Sequence, residues 1–483
     1  MKKIIASILI LSLVCSLVSC SNSQKADQPN AGSSAYESVS SGSGDSESTV
    51  ETLLPSDIVP DGFDGPYFEL SRTGKNVVVI MLDRAMGLYI PYILKEKPEL
   101  YEKFAGFTYY KNTISFSGKT NMAVPALFGG YEYTPVEINK RADESLVDKH
   151  NEAILVMPLI FSNNGYKVTV CDPAWANYKG WSDLNIFKPY PEINAFRTRC
   201  YFGPENTEST QTCTSISTAT GIRAYSLESY NVLTNLSTMT YVINEPKDTY
   251  LFLSNDTTHD PSLLQTPDYI PAEAVDNTEY DAAHADRFTV DGRTMKVETI
   301  EQMQHYHANM AAMLRISEWL DYLRENKVYD NTKIIIVSDH GGMNLRFFED
   351  FWLDEPTGAA IDDLRSTEMY CPLLMVKEIG ATEFTVSDEF MTNADVATLA
   401  TNGLIKNPVN PFTGKAINCD EKYAHDQFIC VSRDWEVDNH KGNRFNGAYW
   451  ATVKDDIWVP DNWTLYPGWC ALDEHEGPMV NKK

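Results

Sequence analysis

The sequence predicts an α/β fold, a mostly parallel central sheet with helices on both faces, followed by a smaller C-terminal α+β part. Three observations carry this reading. Asn76–Leu82 and Lys333–Val337 are apolar without alternation, the pattern of strands covered on both faces of a parallel sheet. Strand-like runs then alternate with segments of helical spacing, which argues a layered α/β arrangement. After Gly380 the composition turns to Trp, Tyr, Asn and Asp, with short strands at 427–431 and 447–453, so an antiparallel C-terminal part is expected.

Taken in chain order, Asn76–Leu82 is the first sheet strand. Residues 151–162 follow as a helix, with Ile154, Leu155, Met157, Leu159 and Ile160 as its apolar positions. Lys167–Cys171 is the next strand. Residues 222–242 read as one amphipathic helix rich in β-branched residues, and 249–254 as the third strand. The clearest helix covers 297–326, where Ile300, Met303, Met310, Met313, Leu314, Ile316, Leu320 and Leu323 mark its apolar positions. Lys333–Val337 is the fourth strand and 370–375 a further one. No internal repeat is present.

The strand ends are polar. Asp83 closes the first strand, Asp172 the second, Asn255-Asp256-Thr257-Thr258-His259-Asp260 the third, and Ser338-Asp339-His340-Gly341-Gly342 the fourth. In open α/β sheets the ligand crevice lies outside the carboxyl ends of the strands. Polar residues that merely begin loops explain Asp172, but four acidic or imidazole-bearing ends are harder to explain that way. Carboxylates and an imidazole converging on one edge repel and shift their pKa values unless a cation neutralises them, and a divalent metal is the simplest answer. Between the first two strands, Ser117-Gly118-Lys119-Thr120 leads into the apolar stretch Asn121–Phe128. Thr120 therefore falls at a helix N-terminus, where free N–H groups and the dipole favour negative charge. On its own it reads as an ordinary N-cap. The surrounding constellation makes it a candidate nucleophile instead.

In this order, Asp83, Thr120 with Pro125 five residues on, Thr258-His259-Asp260-Pro261 and Ser338-Asp339-His340-Gly341 resemble the alkaline phosphatase and sulfatase superfamily. Within it, the chain is most similar to the catalytic domain of lipoteichoic acid synthases (phosphoglycerol transferases) and phosphoethanolamine transferases. The likeness runs from Asn76 to about Leu404 and includes the 370–375 strand and the Asn393–Thr398 segment. It implies an alkaline-phosphatase-like α/β/α sandwich and a metal-dependent enzyme, and the mixed oxygen and nitrogen ligands fit one divalent ion, Mn²⁺ or Zn²⁺. It further implies Asp83, Thr120, Asp339 and His340 as metal ligands, Thr120 as nucleophile, and His259 as a catalytic and substrate contact. Arg84 and Lys119 are further candidates for binding phosphate, although solvated surface charge is the commoner role for either. The two transferase groups usually carry Glu where this chain has Asp83. Sulfatases need Cys or Ser followed by Pro and Arg at alternate positions, whereas 120, 122 and 124 are Thr, Met and Val here. A metal stabilises the alkoxide of a threonine hydroxyl, which is otherwise a poor nucleophile.

The expected activity is transfer of phosphoglycerol or a similar phosphodiester group through a phosphothreonine intermediate. The alternatives are a phosphodiesterase, phosphatase or sulfatase-like hydrolase, and a noncatalytic binding lipoprotein. Asp256 and His259 are the residues available for any second metal. His305 and His307 read as structural. His425 and His440 have no assigned role. Trp450, Trp458, Trp463 and Trp469 are expected to pack the C-terminal part rather than form a glycan platform.

The chain start adds a compartment. Lys2 and Lys3 precede an apolar stretch that ends in Leu17-Val18-Ser19-Cys20, a bacterial lipoprotein signal with Cys20 as the lipidated residue. We expect a signal peptide at 1–19, a disordered Ser-rich linker at 20–57, a catalytic domain at 58–406 and a C-terminal subdomain at 407–483. The protein would then sit on the extracytoplasmic face of the cell membrane by its N-terminal lipid anchor. Its partners would be a glycerophospholipid or an envelope polymer or glycan. With 67 acidic against 40 basic residues, the net charge of −27 opposes nucleic-acid binding. Cys200 with Cys213 and Cys419 with Cys430 are candidate disulfides of an exported protein, while Cys171 and Cys371 suit buried thiols.

Overall fold

Asn76–Leu82 (β1) pairs in parallel with Thr332–Val337 on one side and Thr249–Asn255 on the other, and all three strands are buried along their whole length. They form the centre of an eight-stranded sheet. The computed structural model describes residues 68–199, 222–342, 345, 347–348, 367–431, 442–445 and 448–470. Its other sheet strands are Phe107–Tyr110 (β2), Lys167–Cys171 (β3), Ile193–Phe196 (β4), Thr249–Asn255 (β5), Thr332–Val337 (β6), Leu374–Lys377 (β7) and Thr385–Ser387 (β8). The spatial order is β8-β2-β7-β6-β1-β5-β3-β4, and only β7 runs against the rest.

The main helices that cover the sheet among the described residues are Thr120–Gly129 (α1), Leu146–Asn163 (α2), Ala224–Thr234 (α3) and Ile300–Glu325 (α4). Successive strand residues point to opposite faces, so each central strand feeds two cores. Val77, Val79, Met81, Ile335 and Val337 pack with α1 and α2, whereas Val78, Ile80, Leu82, Ile334 and Ile336 pack with α3 and α4. This is the α/β/α sandwich the sequence predicts. A smaller antiparallel sheet of Gln427–Val431, Ala448–Val453 and Trp463–Cys470 forms the C-terminal part.

Some expectations are corrected. The single helix expected over 222–242 ends at Thr234, and after a short turn Thr240–Ile243 becomes a strand paired in parallel with Phe68–Ser71. The β-branched residues there suit an extended backbone better than a helix. The strand expected over 370–375 starts later, at Leu374, after a 3₁₀ turn at Thr367–Tyr370. Cys419 carries a free thiol, so the proposed bridge to Cys430 is not formed, and Cys171 and Cys371 are buried free thiols. The indole nitrogens of Trp458 and Trp463 donate to the carbonyls of Lys111 and Ile457, which makes both packing residues. Cys20, the 1–19 and 20–57 segments, Cys200, Cys213 and His440 lie outside the described residues. No helix among the described residues is long and apolar enough to cross a membrane.

Candidate metal centre and active site

Strand register brings the first two candidates together. Val337 lies opposite Met81, so Asp339 and Asp83 each stand two residues beyond a paired position on neighbouring strands. The loop after β6 then turns back sharply. The Ser338 N–H donates to Leu373 O at 2.9 Å, the Ser338 hydroxyl to His340 O at 2.7 Å and the Gly341 N–H to Met369 O at 2.8 Å. A Cβ at position 341 would lie 2.1 Å from Glu368 O, so this position requires glycine. The turn points the His340 ring back toward the two carboxylates.

Asp83, Asp339 and His340 are all buried, and one ligand atom from each lies within 4.8 Å of the others. Among the described residues, Asp83 Oδ1 and Asp339 Oδ2 have no hydrogen-bond partner, and His340 Nε2 stands 3.5 Å from Asp339 Oδ2. Burial, reinforced by the Asp339 charge, pushes the Asp83 carboxyl up to about 8. Burial also lowers His340 to about 4, against the opposing pull of Asp339, so its ring is neutral at physiological pH. His340 Nδ1 lies 2.8 Å from Gly341 O and must donate to it, which leaves the Nε2 lone pair for a ligand. Two unpaired carboxylate oxygens and one imidazole lone pair fit a divalent cation of mixed O/N preference.

Thr120 completes the group. It is the first residue of α1, and the N-cap is Lys119, so its hydroxyl is not used for capping. Instead the hydroxyl lies 3.5 Å from Asp83 Oδ2 and 3.3 Å from His340 Nε2. Asn393 Nδ2 bonds the carbonyls of Asp339 (3.0 Å) and Ala123 (3.3 Å), tying the β6 loop to α1.

His259 stands beside this centre. The Arg84 guanidinium donates to His259 O at 3.0 Å, and the Thr258 hydroxyl donates to Asp83 O at 2.6 Å. His259 Nδ1 is 3.0 Å from Asp260 Oδ1, and the Tyr225 hydroxyl lies 2.8 Å from the same nitrogen while donating to Asp260 Oδ2 at 2.5 Å. Burial pulls the His259 pKa down, but Asp83 and the Asp260 bond outweigh it, and the net shift is upward. Asp260 is held at about 2, because its bonds to His259 and Tyr225 overcome the effect of burial.

Arg84 and Lys119 are not solvated surface charges. Arg84 has a left-handed backbone (φ 63°), its N–H donates to Asp339 Oδ1 at 3.2 Å, and Lys119 is only 8% exposed. Asp256 does not join the metal group, since its Oδ2 is 2.6 Å from Arg199 Nη1. Asp172 accepts the N–H and hydroxyl of Thr198. Sequence reasoning missed Tyr225, which no motif marks. It also gave no role to Asn393, although that residue lies in a segment the resemblance covered.

The sulfatase family model matches residues 75–357, more than half of the chain. Among solved structures, the chain is similar to the lipoteichoic acid synthase LtaP from Listeria monocytogenes (13% identity, TM-score 0.42, covering 82% of this chain and 87% of that one). It is similar to the phosphonate monoester hydrolase SpPMH from Silicibacter pomeroyi (13%, 0.44, 83% and 90%). It is also similar to the C-terminal periplasmic domain of EcEptC from Escherichia coli (13%, 0.40, 75% and 93%). No curated protein matches the sequence.

Proposed function

The chain belongs to the sulfatase family, as an enzyme of the alkaline phosphatase superfamily, and from that premise we propose that it transfers a phosphodiester-linked group, phosphoglycerol foremost, to a cell-envelope acceptor. The observation that carries this reading is the Thr120 hydroxyl, which heads α1 between Asp83 and His340 in place of an oxidisable Cys or Ser. Asp83, Asp339, His340 and the Thr120 oxygen would hold one divalent ion, Mn²⁺ or Zn²⁺, which would lower the pKa of the hydroxyl and offset transition-state charge.

The Thr120 oxygen attacks phosphorus and the bond to the departing alcohol breaks. The proton of the threonine hydroxyl is directed at Asp83 Oδ2. His259, whose pKa is raised by Asp83 and by its bond to Asp260, gives a proton to the leaving oxygen. Tyr225 and Asp260 hold its Nδ1, so Nε2 is the nitrogen that delivers it. The retained group stays esterified to Thr120 until an acceptor hydroxyl displaces it. A phosphodiester suits this course because one ester arm survives the first step.

A lipid anchor at Cys20 followed by the polar 20–57 spacer would hold the enzyme at the extracytoplasmic membrane face, within reach of glycerophospholipid and envelope polymers. The test is incubation of the metal-loaded enzyme with phosphatidylglycerol. Release of diacylglycerol with a glycerophospho adduct on Thr120 is expected. Cleavage of sulfate esters alone, or of phosphomonoesters alone, would replace the transferase reading by a hydrolase. For the anchor, a mature N-terminus at acylated Cys20 is expected, and its processing should be blocked by Cys20→Ala.

A further inference from the structure

Strand β4 delivers Arg197 and Arg199 to the same carboxyl edge that carries Asp83, three strands away, at about 14 Å for a spacing of about 4.8 Å. Arg199 is 8% exposed and reaches back toward the metal edge, with Nη1 2.6 Å from Asp256 Oδ2. On its outer side the guanidinium carbon stands 5.1 Å from the ring centre of Trp181, and that of Arg197 stands 5.9 Å from the same ring. Trp181 is 44% exposed. Arg197 donates through Nε to Ser182 O at 2.6 Å, and its two terminal nitrogens have no partner among the described residues.

A lone exposed tryptophan would mean little. This one ends a loop held in an unfavourable backbone. Asp172, Trp175, Asn177 and Tyr178 all have left-handed φ angles between 48° and 58°. Such conformations persist only where the surroundings impose them. Here His150 Nε2 holds Ala174 O at 3.0 Å, Asn151 Nδ2 donates to Asn177 Oδ1 at 2.6 Å while its Oδ1 accepts from the Asn177 N–H at 2.8 Å, and the Ser182 hydroxyl holds Pro173 O at 2.8 Å. The loop therefore presents a rigid indole beside one uncommitted guanidinium and one oriented guanidinium. Indole faces take flat polyol or sugar surfaces and cations, while guanidinium groups take phosphate or sulfate.

We propose that Trp181, Arg197 and Arg199 form a remote substrate subsite that grips an anionic group of a chain-like polyol or glycan ester while another ester of the same chain lies at Thr120. The inference deepens the proposed function and rests on it for the identity of the reacting end. Strand β4 lies about 14 Å from β1, so a ligand that reaches both Trp181 and Thr120 is longer than a single headgroup, and the preferred ligand is oligomeric.

Equilibrium binding to full-length protein carrying Thr120→Ala tests this without turnover. The probes are a glycerol-phosphate oligomer, a sulfated oligosaccharide and monomeric glycerol phosphate. At least one oligomer is expected to bind more tightly than the monomer. Its affinity should fall about tenfold with Trp181→Ala or Arg197→Gln and largely recover with Trp181→Phe, while monomer affinity and melting temperature stay unchanged. Whichever oligomer behaves so identifies the polymer. Equal binding of oligomers and monomer, no binding of either oligomer, or oligomer affinity unchanged by Trp181→Ala overturns the subsite. Because binding is read on a protein that cannot turn over, loss of the transferase reading in the phosphatidylglycerol assay would leave this result standing.

Discussion

Two buried carboxylate clusters in this molecule have opposite fates. Glu96 lies in the core on the α4 side, and its carboxylate accepts from the hydroxyls of Tyr269, Tyr280 (2.9 Å) and Tyr306 (2.8 Å), with Arg287 Nε 3.4 Å away. Asp83 and Asp339 are buried as deeply at the sheet edge, yet each leaves one oxygen without a hydrogen-bond partner among the described residues. A satisfied buried carboxylate is a structural knot, whereas an unsatisfied pair of like charge is costly and persists where a ligand completes it. The first cluster should matter to stability and the second to chemistry.

Substitution at each cluster breaks or sharpens that contrast. The largest effect is expected from Thr120→Ala, which should lower turnover by at least about 10³-fold with the melting temperature of the metal-free protein unchanged, as steady-state assays and thermal unfolding after chelation would read. A variant of near-normal activity would remove Thr120 as nucleophile. Next, Glu96→Ala should cost about 3–5 kcal/mol of stability, since it removes the acceptor of three tyrosine hydroxyls and leaves Arg287 with Asp281 as its ion partner, while specific activity of the folded fraction is retained. Denaturant unfolding measures it, and a selective loss of turnover instead would erase the distinction between the clusters.

A smaller effect separates buried histidines from the metal edge. Burial lowers His150 to about 4 and His307 to about 3, from an ordinary value of 6.5. Between these values the unfolded chain binds protons that the folded chain refuses. Stability is therefore full above pH 6.5 and falls as pH drops toward 4, each group approaching about 1.4 kcal/mol per pH unit. His150→Gln, which keeps a donor for Ala174 O, should flatten part of that slope; an unchanged slope would show that His150 is not buried neutral.

The contrast also explains what the sequence could disclose. Strands β1 and β6 were legible because burial on both faces leaves unbroken apolar runs, and Asp83, Asp339 and His340 were legible because they close those two runs. The break at Thr234 and the strand Thr240–Ile243 were not, because pairing with Phe68–Ser71 is a long-range choice that local spacing does not record. Lys119 and Arg84 looked like surface charges because general frequency favours that, and only the packed loops reveal their burial or bonding. The Tyr225–His259–Asp260 arrangement joins two distant segments, so no local spacing announces it. Glu96 gave no signal for the same reason.

The central claim is that the unsatisfied carboxylates at the sheet edge are ligands of a divalent ion. Elemental analysis of the purified protein, paired with thermal unfolding before and after chelation, tests it most directly. The account predicts one tightly held divalent ion per chain, a melting temperature that falls on chelation and recovers with Mn²⁺ or Zn²⁺, loss of both properties in Asp339→Ala, and retention of the ion in Glu96→Ala. A metal-free wild-type protein whose melting temperature ignores chelator and added metal alike would contradict it.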